Sequence, residues 1–368
     1  MESLPQILQE LFNSVAGSGA IPYLLMIALG SLLIAGFALT FAGAATWVER
    51  KVSADIQARV GPTTVGPHRV GPYAFFQWVA DGLKFVLKED IIPEMADRPL
   101  FLMAPIVVCS GALATFAVLP FADGLVMSDL KLGLLYIIGV SSLITLGIMM
   151  GGWGSGNKWS LLGGMRSAAQ IVSYEVPMAL SVMSVALVAG TLNVSEVVRA
   201  QSPISWFIFH NPFLFLNFFI FFTAGLAETN RTPFDIPEAE SELVQGYNTE
   251  YSGMRFAVFF AGEYIEIYLM CALAAILFFG GWHLPFVDAS GFSPPLKTMV
   301  ELLTLMTKAL LFFLVIVWLR WTLPRYRVDQ LMNLCWKYLT PFAFANLLGT
   351  AAWVLFFKGK SLMEVLFS

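Results

Sequence analysis

Carboxylates are the side chains of this sequence whose type and spacing suggest chemistry. The segment TPFDIPEAESE places four of them close together in residues 232–242: Asp235, Glu238, Glu240 and Glu242. Three more fall inside long apolar runs: Glu175, Glu263 and Glu266. Carboxyl groups in such positions can take up and release protons, or they can be held in ion pairs. Either use requires a scaffold that brings them together.

The composition indicates that this scaffold is a membrane protein. Hydrophobic residues make up 58% of the 368 positions and charged residues only 12%, a balance typical of a chain whose main solvent is the bilayer. The formal net charge of -4 is too small to indicate nucleic acid or another polyanion as a partner. The segment MESLPQILQELF has no basic residue before its apolar run, so we expect the first long helix to insert without being cleaved.

Eight apolar runs are long enough to cross a bilayer, which takes about 20 residues each. They are approximately Ile21–Val48, Leu100–Phe121, Leu132–Trp153, Ala168–Gly190, Trp206–Ala227, Met254–Trp282, Leu296–Leu319 and Lys337–Phe357. The fourth contains Pro177, and we expect Pro212 to kink the start of the fifth. No internal repeat stands out, so we predict an all-α polytopic protein with one membrane domain over residues 1–368.

The positions of Lys and Arg predict the orientation of the chain. Of the 21 such residues, 15 follow the first, third, fifth or seventh run. Because basic residues concentrate on the cytoplasmic side, we expect those loops to be cytoplasmic and both termini to be periplasmic. Two of the loops are prominent, the long one at residues 49–99 and the acidic one at residues 228–253.

The long loop contains a predicted amphipathic helix. In YAFFQWVADGLKFVLKED a polar stripe recurs at helical spacing opposite an apolar side, and its members are Gln77, Asp81, Lys84 and Lys88. This pattern predicts a helix that lies along the membrane surface. The preceding segment RVGPTTVGPHRVGP has three Gly-Pro pairs, which predict a stiff and irregular connector.

Acids inside the apolar runs are costly unless they are paired, hydrated or protonated. Each costs about 2.5–3.5 kcal/mol on the membrane-insertion scale, which is why we interpret the three as functional. In the seventh run, Glu301 and Lys308 share a face and predict either a structural ion pair or a proton site. Asp235 is expected to cap a helix that begins at Ile236–Pro237, with Glu238 completing the cap.

Four segments resemble one known family. TWVERKVSADIQARVGP, VADGLKFVLKED, NKWSLLGGMRSAAQIVSYEVP and LAETNRTPFDIPEAESELVQGYNTEYSGMRFAVFFAGEY resemble the H subunit of bacterial respiratory complex I, the NADH-quinone oxidoreductase. Its mitochondrial counterpart is NADH dehydrogenase subunit 1. The resemblance extends from about Phe41 to Asp329. It implies an eight-span helical bundle in the bacterial inner membrane, within a proton-translocating enzyme.

The resemblance also implies roles for individual residues. The family docks the peripheral arm of the complex and forms the entrance to its quinone chamber, and the residues that match this entrance are Glu49, Arg50, Lys51, Arg59, Asp81, Lys84, Lys88 and Phe260. The residues that match the acidic loop, and the buried acids leading towards the antiporter-like subunits, are Glu175, Glu228, Arg231, Asp235, Glu238, Glu240, Glu242, Glu250 and Glu263. Glu266 matches no acid of the family.

Quinone is the substrate that the resemblance implies, and flavin and iron–sulfur clusters belong to partner subunits. Cys109, Cys271 and Cys335 are far apart, with no CxxC, so a thiolate-held cluster within this chain is not expected. The expected partners are the quinone-site and iron–sulfur subunits of the peripheral arm, the small membrane subunits, the antiporter-like subunits and the lipid bilayer.

Three other classes of membrane protein compete with this interpretation. A haem-containing quinol oxidase would need histidines paired across helices, and His68, His210 and His283 do not provide a pair at mid-membrane. A stand-alone secondary transporter fits the intramembrane acids but not the large mixed-charge loop surface. The membrane subunit of an energy-converting hydrogenase is the closest alternative, and the segment from Arg50 to Arg59 together with the full acidic loop favours complex I over it.

Overall fold

The protein is a bundle of α-helices in a computed structural model. The structure describes residues 20–63, 65, 74–202, 205–237, 240–285, 293–357, 360 and 362. In chain order the helices of this part are α1 (Ala20–Ile56), α2 (Gln77–Leu87), α3 (Arg98–Thr115), α4 (Gly133–Gly154), α5 (Lys158–Ala189), α6 (Val194–Arg199), α7 (Pro212–Glu228), α8 (Glu240–Leu243), α9 (Gly253–Phe278), α10 (Pro294–Thr322), α11 (Val328–Asn333) and α12 (Thr340–Phe357). Short 3-10 turns lie at Phe207–Phe209 and Gly246–Asn248.

The all-α membrane fold predicted from hydropathy is confirmed. Within the described ranges, seven helical stretches are long and apolar enough to cross a membrane: α1, α3, α4, α5, α9, α10 and the run Val328–Phe357, in which a π-helical turn at Leu334–Leu339 joins α11 to α12. The remaining predicted run is α7, an apolar helix of 17 residues. At 1.5 Å per residue α7 is about 26 Å long, a little less than the ~30 Å hydrocarbon core.

Several helices begin or end at residues other than the predicted ones, and polar and proline residues account for the differences. α5 begins at Lys158 rather than near Ala168, and the side chain of Asn157 caps it. Pro177 lies inside α5 without ending it. The expected kink at Pro212 is wrong, because this residue occupies the first turn of α7, where a missing N–H leaves no backbone bond unmade. α1 continues past Val48, so its last two turns carry charged residues.

α9 is the centre of the bundle. Every residue from Gly262 to Phe278 is buried, as expected for a helix that is hydrophobic on all sides. Small residues such as Ala272 and Ala275 let the neighbouring helices approach closely. Glu263 and Glu266 lie on this helix, so both are enclosed by protein.

The two long loops meet at one end of the bundle, which we call the loop end. The backbone N–H of Ile91 donates to the hydroxyl of Ser252 at 3.1 Å, and Arg255 pairs with Asp90 at 3.0 Å. The predicted amphipathic helix is present here as α2, with no buried residue of its own. That the loop end faces the cytoplasm stays a prediction.

Close packing of glycines positions the acidic loop against α5. A Cβ atom on Gly163 would lie 2.6 Å from the Cα atom of Gly246, a contact that real side chains do not make. Gly246 itself has a φ of 56°, a conformation that favours glycine. The contact places the turn Gly246–Asn248, and with it Tyr247, beside the core.

Candidate functional site

Glu263 is the centre of a buried polar cluster at the loop-end half of α9. The Tyr247 hydroxyl donates to Glu263 Oε1, and Arg231 Nη2 lies 3.7 Å from Oε2. Arg231 also lies over the ring of Tyr264, with 4.4 Å between Cζ and the ring centre. The acid is thus held between a hydroxyl donor and a cation, both from the acidic loop.

Glu175, Glu228 and Glu266 form a second group. Glu228, the last residue of α7, is 2% exposed, and neither of its carboxyl oxygens has a hydrogen-bonding partner among the described residues. Glu266 is 4% exposed. Glu175 on α5 is partly exposed, with one oxygen buried and unpartnered within the described ranges. These three carboxylates and Glu263 are close enough to interact electrostatically.

The acids of the loop itself have different environments. Asp235 is 4% exposed, and its Oδ2 atom accepts from Arg325 at 2.9 Å. The expectation that Asp235 caps a helix at Ile236–Pro237 is wrong, because neither residue is helical and α8 begins only at Glu240. Asp235 is instead the partner of a cation from the segment that follows α10.

The other loop acids anchor the surface of the loop end. Glu242 is exposed and pairs with Arg166 at 2.7 Å. Glu250 accepts from the amide of Asn157 at 2.6 Å. Glu238 lies outside the described residues, as does the side chain of Glu240.

Glu49 ties three helices together. It is 7% exposed and lies on α1. Its carboxylate accepts from the hydroxyl of Tyr264 on α9 and from the guanidinium of Arg320 on α10. Because Tyr264 also carries Arg231 over its ring, this network is continuous with the cluster around Glu263.

Asp81 joins α2 to α1. Arg50 pairs with Asp81 at 2.6 Å, and the Gln77 amide donates to the same carboxylate at 3.2 Å. Lys84 lies 5.0 Å from the Phe85 ring, and Lys88 is exposed at the end of the helix.

Two more residues predicted at the entrance, Lys51 and Arg59, form hydrogen bonds around the end of α1. Lys51 donates to the carbonyl oxygen of Pro62 at 2.7 Å. Arg59 donates to the side chain of Gln57 at 2.6 Å and to Ser53 at 3.4 Å. These bonds fold the chain after α1 back along the helix.

A row of aromatic rings, which we call the aromatic file, runs from α2 to the buried cluster. Phe85 of α2 lies 5.7 Å from Phe256 of α9, measured between ring centres. Phe256 and Phe260 are stacked at 5.9 Å, and Phe260 and Tyr264 are 5.0 Å apart. The file therefore joins the surface helix to the residue on which Arg231 and Glu49 converge.

Glu301 and Lys308 do not pair with each other. At the end of the bundle opposite the loop end, Glu301 accepts from the backbone N–H of Asp123 at 2.9 Å and lies 3.6 Å from Lys297. Lys308 donates to three backbone carbonyls that follow α9, at 2.7 to 2.9 Å; they belong to Phe279, Gly281 and His283. The ion pair considered from their spacing is wrong, and Lys308 instead closes the end of α9.

Asp123, in the loop between α3 and α4, pairs with two cations from other parts of the chain. It accepts from Arg199 at 2.8 Å and from Lys297 at 3.2 Å. Burial alone would raise the pKa of this carboxyl, but the hydrogen bonds and charges of Arg199 and Lys297 outweigh burial and lower it.

Four residues of the site were not identified from the sequence: Tyr247, Tyr264, Arg320 and Arg325. Tyr264 directly follows Glu263. Both arginines lie in the basic segment after the seventh run, which was used only to predict the orientation of the chain. Tyr247 had no local signal, because its partner is reached only through packing of the turn against α5.

Known proteins match this chain over most of its length. The NADH dehydrogenase family matches residues 29–351. Among similar proteins, three are each named as the H subunit of NADH-quinone oxidoreductase. That of Anaeromyxobacter dehalogenans is 46% identical over 345 residues, covering 90% of this chain and 82% of its own. That of Anoxybacillus flavithermus is 45% identical over 349 residues, with 94% and 98% covered. That of Bacillus mycoides is 49% identical over 303 residues, with 82% and 86% covered.

Proposed function

The chain belongs to the NADH dehydrogenase family, and from that premise we propose that it is the membrane subunit of an NADH-quinone oxidoreductase which links quinone reduction to proton movement. In this proposal the loop end docks the peripheral arm, α1, α2 and α9 form the entrance to the quinone chamber, and the buried carboxylates carry protons. The observation that carries the proposal is that one residue, Tyr264, ends the aromatic file and contacts the cluster around Glu263.

The entrance is supported by the position and chemistry of α2. Its apolar residues Leu83, Val86 and Leu87 are exposed, as expected for a helix resting on lipid. A quinone has a flat ring on an apolar tail, so it can leave the bilayer beneath α2 and follow the file from Phe85 to Tyr264, stacking on successive rings. The Arg50–Asp81 pair would hold α2 in place beside α1.

Docking is supported by the polarity of the loop end. An open cleft there is lined by the charged and polar residues Glu94, Asn157, Lys158 and Glu250 together with Pro93 and Met95. Ion pairs such as Arg166–Glu242 lie at its surface. A mixed-charge surface of this kind suits a polar protein partner better than lipid.

The proposed coupling of quinone reduction to proton movement is supported by the strength of electrostatic interactions in a poorly screened interior. A unit negative charge formed about 10 Å from a carboxylate, at an effective dielectric constant near 20, is worth roughly 1.7 kcal/mol, which changes a proton-binding equilibrium by more than about tenfold. Arg231 lies between the end of the aromatic file and Glu263, so charge formed on the quinone would act first on this pair.

Glu263→Gln and Glu175→Gln in the assembled complex test the proposal. Glutamine keeps the shape of the side chain but cannot take up and release a proton. We expect both variants to assemble, as judged by native gels, and to lose proton pumping in membrane vesicles, with NADH-dependent quinone reduction falling in parallel. Glu196→Gln, the same change at an exposed position on α6, is the control. Wild-type ratios of protons pumped to quinone reduced in both variants would contradict the proposal.

A further inference from the structure

α2 is a helix that buries none of its own residues. The position of a helix in a bundle is usually fixed by the side chains that it buries, so α2 depends more than the other helices on contacts at its edges and ends. Its contact with α9 includes the ring of Phe85, whose centre lies 5.7 Å from that of Phe256. The place of Phe85 in the aromatic file therefore depends on what holds the chain at the end of α2.

The chain that leaves α2 is hydrogen-bonded to the residue that precedes α9. The hydroxyl of Ser252 donates to the carbonyl oxygen of Glu89 at 3.2 Å and accepts from the backbone N–H of Ile91 at 3.1 Å. A hydroxyl has one proton to donate and lone pairs to accept with, so this single group can make both bonds. Ser252 thus holds the backbone on both sides of Asp90.

Gly253, the first residue of α9, brings the two backbones into direct contact. It has a φ of 57°, a conformation that favours glycine. A Cβ atom at this position would lie 3.1 Å from the carbonyl oxygen of Lys88 and 3.4 Å from that of Glu89. The absence of a side chain therefore lets the segment after α2 lie against the start of α9.

An ion pair joins the same two segments. Arg255, in the first turn of α9, places Nη2 at 3.0 Å from the carboxylate of Asp90. Its guanidinium also lies over the ring of Phe101 on α3, with 5.7 Å between Cζ and the ring centre. Asp90 is thereby tied to a cation that rests on the bundle itself. We call Asp90, Ser252 and Arg255 the latch.

The latch lies next to the ring contact along both parts of the chain. Phe85 is in the last turn of α2, and the latch begins three residues after that helix ends. Phe256 directly follows Arg255 on α9. If the latch separated, the last turn of α2 would be free to move away from the first turn of α9, and the contact between the two rings would open.

We propose that the three latch residues are positioning residues for quinone entry, which hold α2 against the start of α9 so that Phe85 stays in contact with Phe256. They act through these rings and do not themselves contact the quinone. With the latch open, the aromatic file is interrupted where it passes from α2 to α9, so quinone binds less well, while the redox centres in partner subunits are unaltered. This inference rests on the entrance described under the proposed function and adds to it residues that the family resemblance does not assign.

The test compares Ser252→Ala with Ser252→Thr, which keeps the hydroxyl, in the assembled complex. We expect Ser252→Ala to raise the apparent KM for a long-tailed quinone by roughly two- to tenfold, the ratio that corresponds to a hydrogen bond of ordinary strength, with kcat near the wild-type value. Ser252→Thr should have a KM close to that of the wild type. Asp90→Asn should raise the KM by less, because the ion pair is partly exposed.

Ser142→Ala is the matched control, because its hydroxyl is exposed and bonds only within α4, to the carbonyl oxygen of Gly139. It should leave the KM unchanged. The separation of KM from kcat is the readout that a merely structural role would not produce. Lower kcat or less assembled complex in native gels, with a wild-type KM, would show that the latch only stabilises the fold and would overturn the inference.

The entrance variant Asp81→Asn separates failure of this inference from failure of the proposed function. If Asp81→Asn raises the KM while Ser252→Ala and Asp90→Asn do not, the latch does not position α2, although the entrance stands. If none of the three raises it, the proposed entrance fails as well. Should Ser252→Ala not assemble, Asp90→Asn decides, because the Asp90 side chain is 38% exposed and lies outside the core.

Discussion

The guanidinium of Arg231 lies over the ring of Tyr264 while reaching to within 3.7 Å of the carboxylate of Glu263, the preceding residue of α9. The hydroxyl of the same tyrosine donates to Glu49. One buried cation thus contacts both the residue at the end of the aromatic file and the acid at the centre of the buried polar cluster.

Arg231→Gln should strongly lower quinone reductase activity in complexes that still assemble. The change leaves Glu263 buried without its cation, and breaking a buried pair from one side costs about 3–5 kcal/mol. Arg231→Lys should give an intermediate loss, because lysine keeps the charge but not the planar stacking. Activity per assembled complex in native gels is the measurement. Arg327→Gln, which removes an exposed partner of Asp329, is the control and should behave like wild type.

Tyr247→Phe should impair pumping more than it impairs assembly. It removes the hydroxyl that donates to Glu263, and hydrogen bonds to charged groups contribute about 1.5–3 kcal/mol. Pumping measured in vesicles should therefore fall by roughly ten- to a hundred-fold. Tyr251→Phe removes a comparable hydroxyl bond, to the backbone of Phe101, and should reduce only thermal stability. Equal pumping in the two variants would show that the Tyr247 bond is structural.

Exchanging the charges of Arg50 and Asp81 should restore most of what either single change removes. The pair joins α1 to α2, and Arg50 is 47% exposed, so its contribution to stability is about 0.2–1 kcal/mol. We expect Asp81→Asn to raise the apparent KM for quinone a few-fold without loss of assembly, and Gln77→Ala to have a smaller effect. A double variant, Arg50→Asp with Asp81→Arg, that is no better than the single variants would rule out the pairing as the cause.

Asp123→Asn should destabilise the complex at neutral pH but not in acid. The pKa of Asp123 is lowered in the folded protein, so its contribution is complete above the ordinary value of about 3.9 and is lost as the pH falls through the folded-state value. Because the side chain is about a third exposed, we expect the contribution to be about 1 kcal/mol or less. Thermal unfolding of both proteins from neutral pH to about pH 3 measures it. A stability difference that persists at the acid limit would contradict the assignment.

Hydropathy and helical spacing predicted the helices of this protein and the burial of its central acids. Apolar length alone located α9, and Glu263 and Glu266 are both enclosed as the cost of charge in a bilayer requires. The amphipathic stripe located α2 for the same reason, since a helix at an interface must divide its polar and apolar sides.

The partners of the charged residues were predicted less well, because local spacing suggests local partners. Asp81 shares the polar stripe of α2 with Lys84, one turn away, but it pairs with Arg50 on α1. Asp235 was expected to cap its own helix and pairs with Arg325. Glu49 was expected only at the entrance and binds Tyr264 and Arg320. A charge leaving water needs a strong partner wherever the fold supplies one, and that partner can be far away in the sequence.

Lys308 and Glu49 together have a consequence for how the membrane voltage acts on α9. Lys308 holds the backbone just beyond one end of this helix, and Glu49 holds Tyr264 in its other half. Tied in both halves, α9 keeps Glu266, at its middle, at a constant depth. The full potential is worth about 2.3 kcal/mol per elementary charge per 100 mV, so a proton halfway across gains or loses about 1.2 kcal/mol. Any charge that Glu266 carries is therefore exposed to one fixed fraction of the membrane potential.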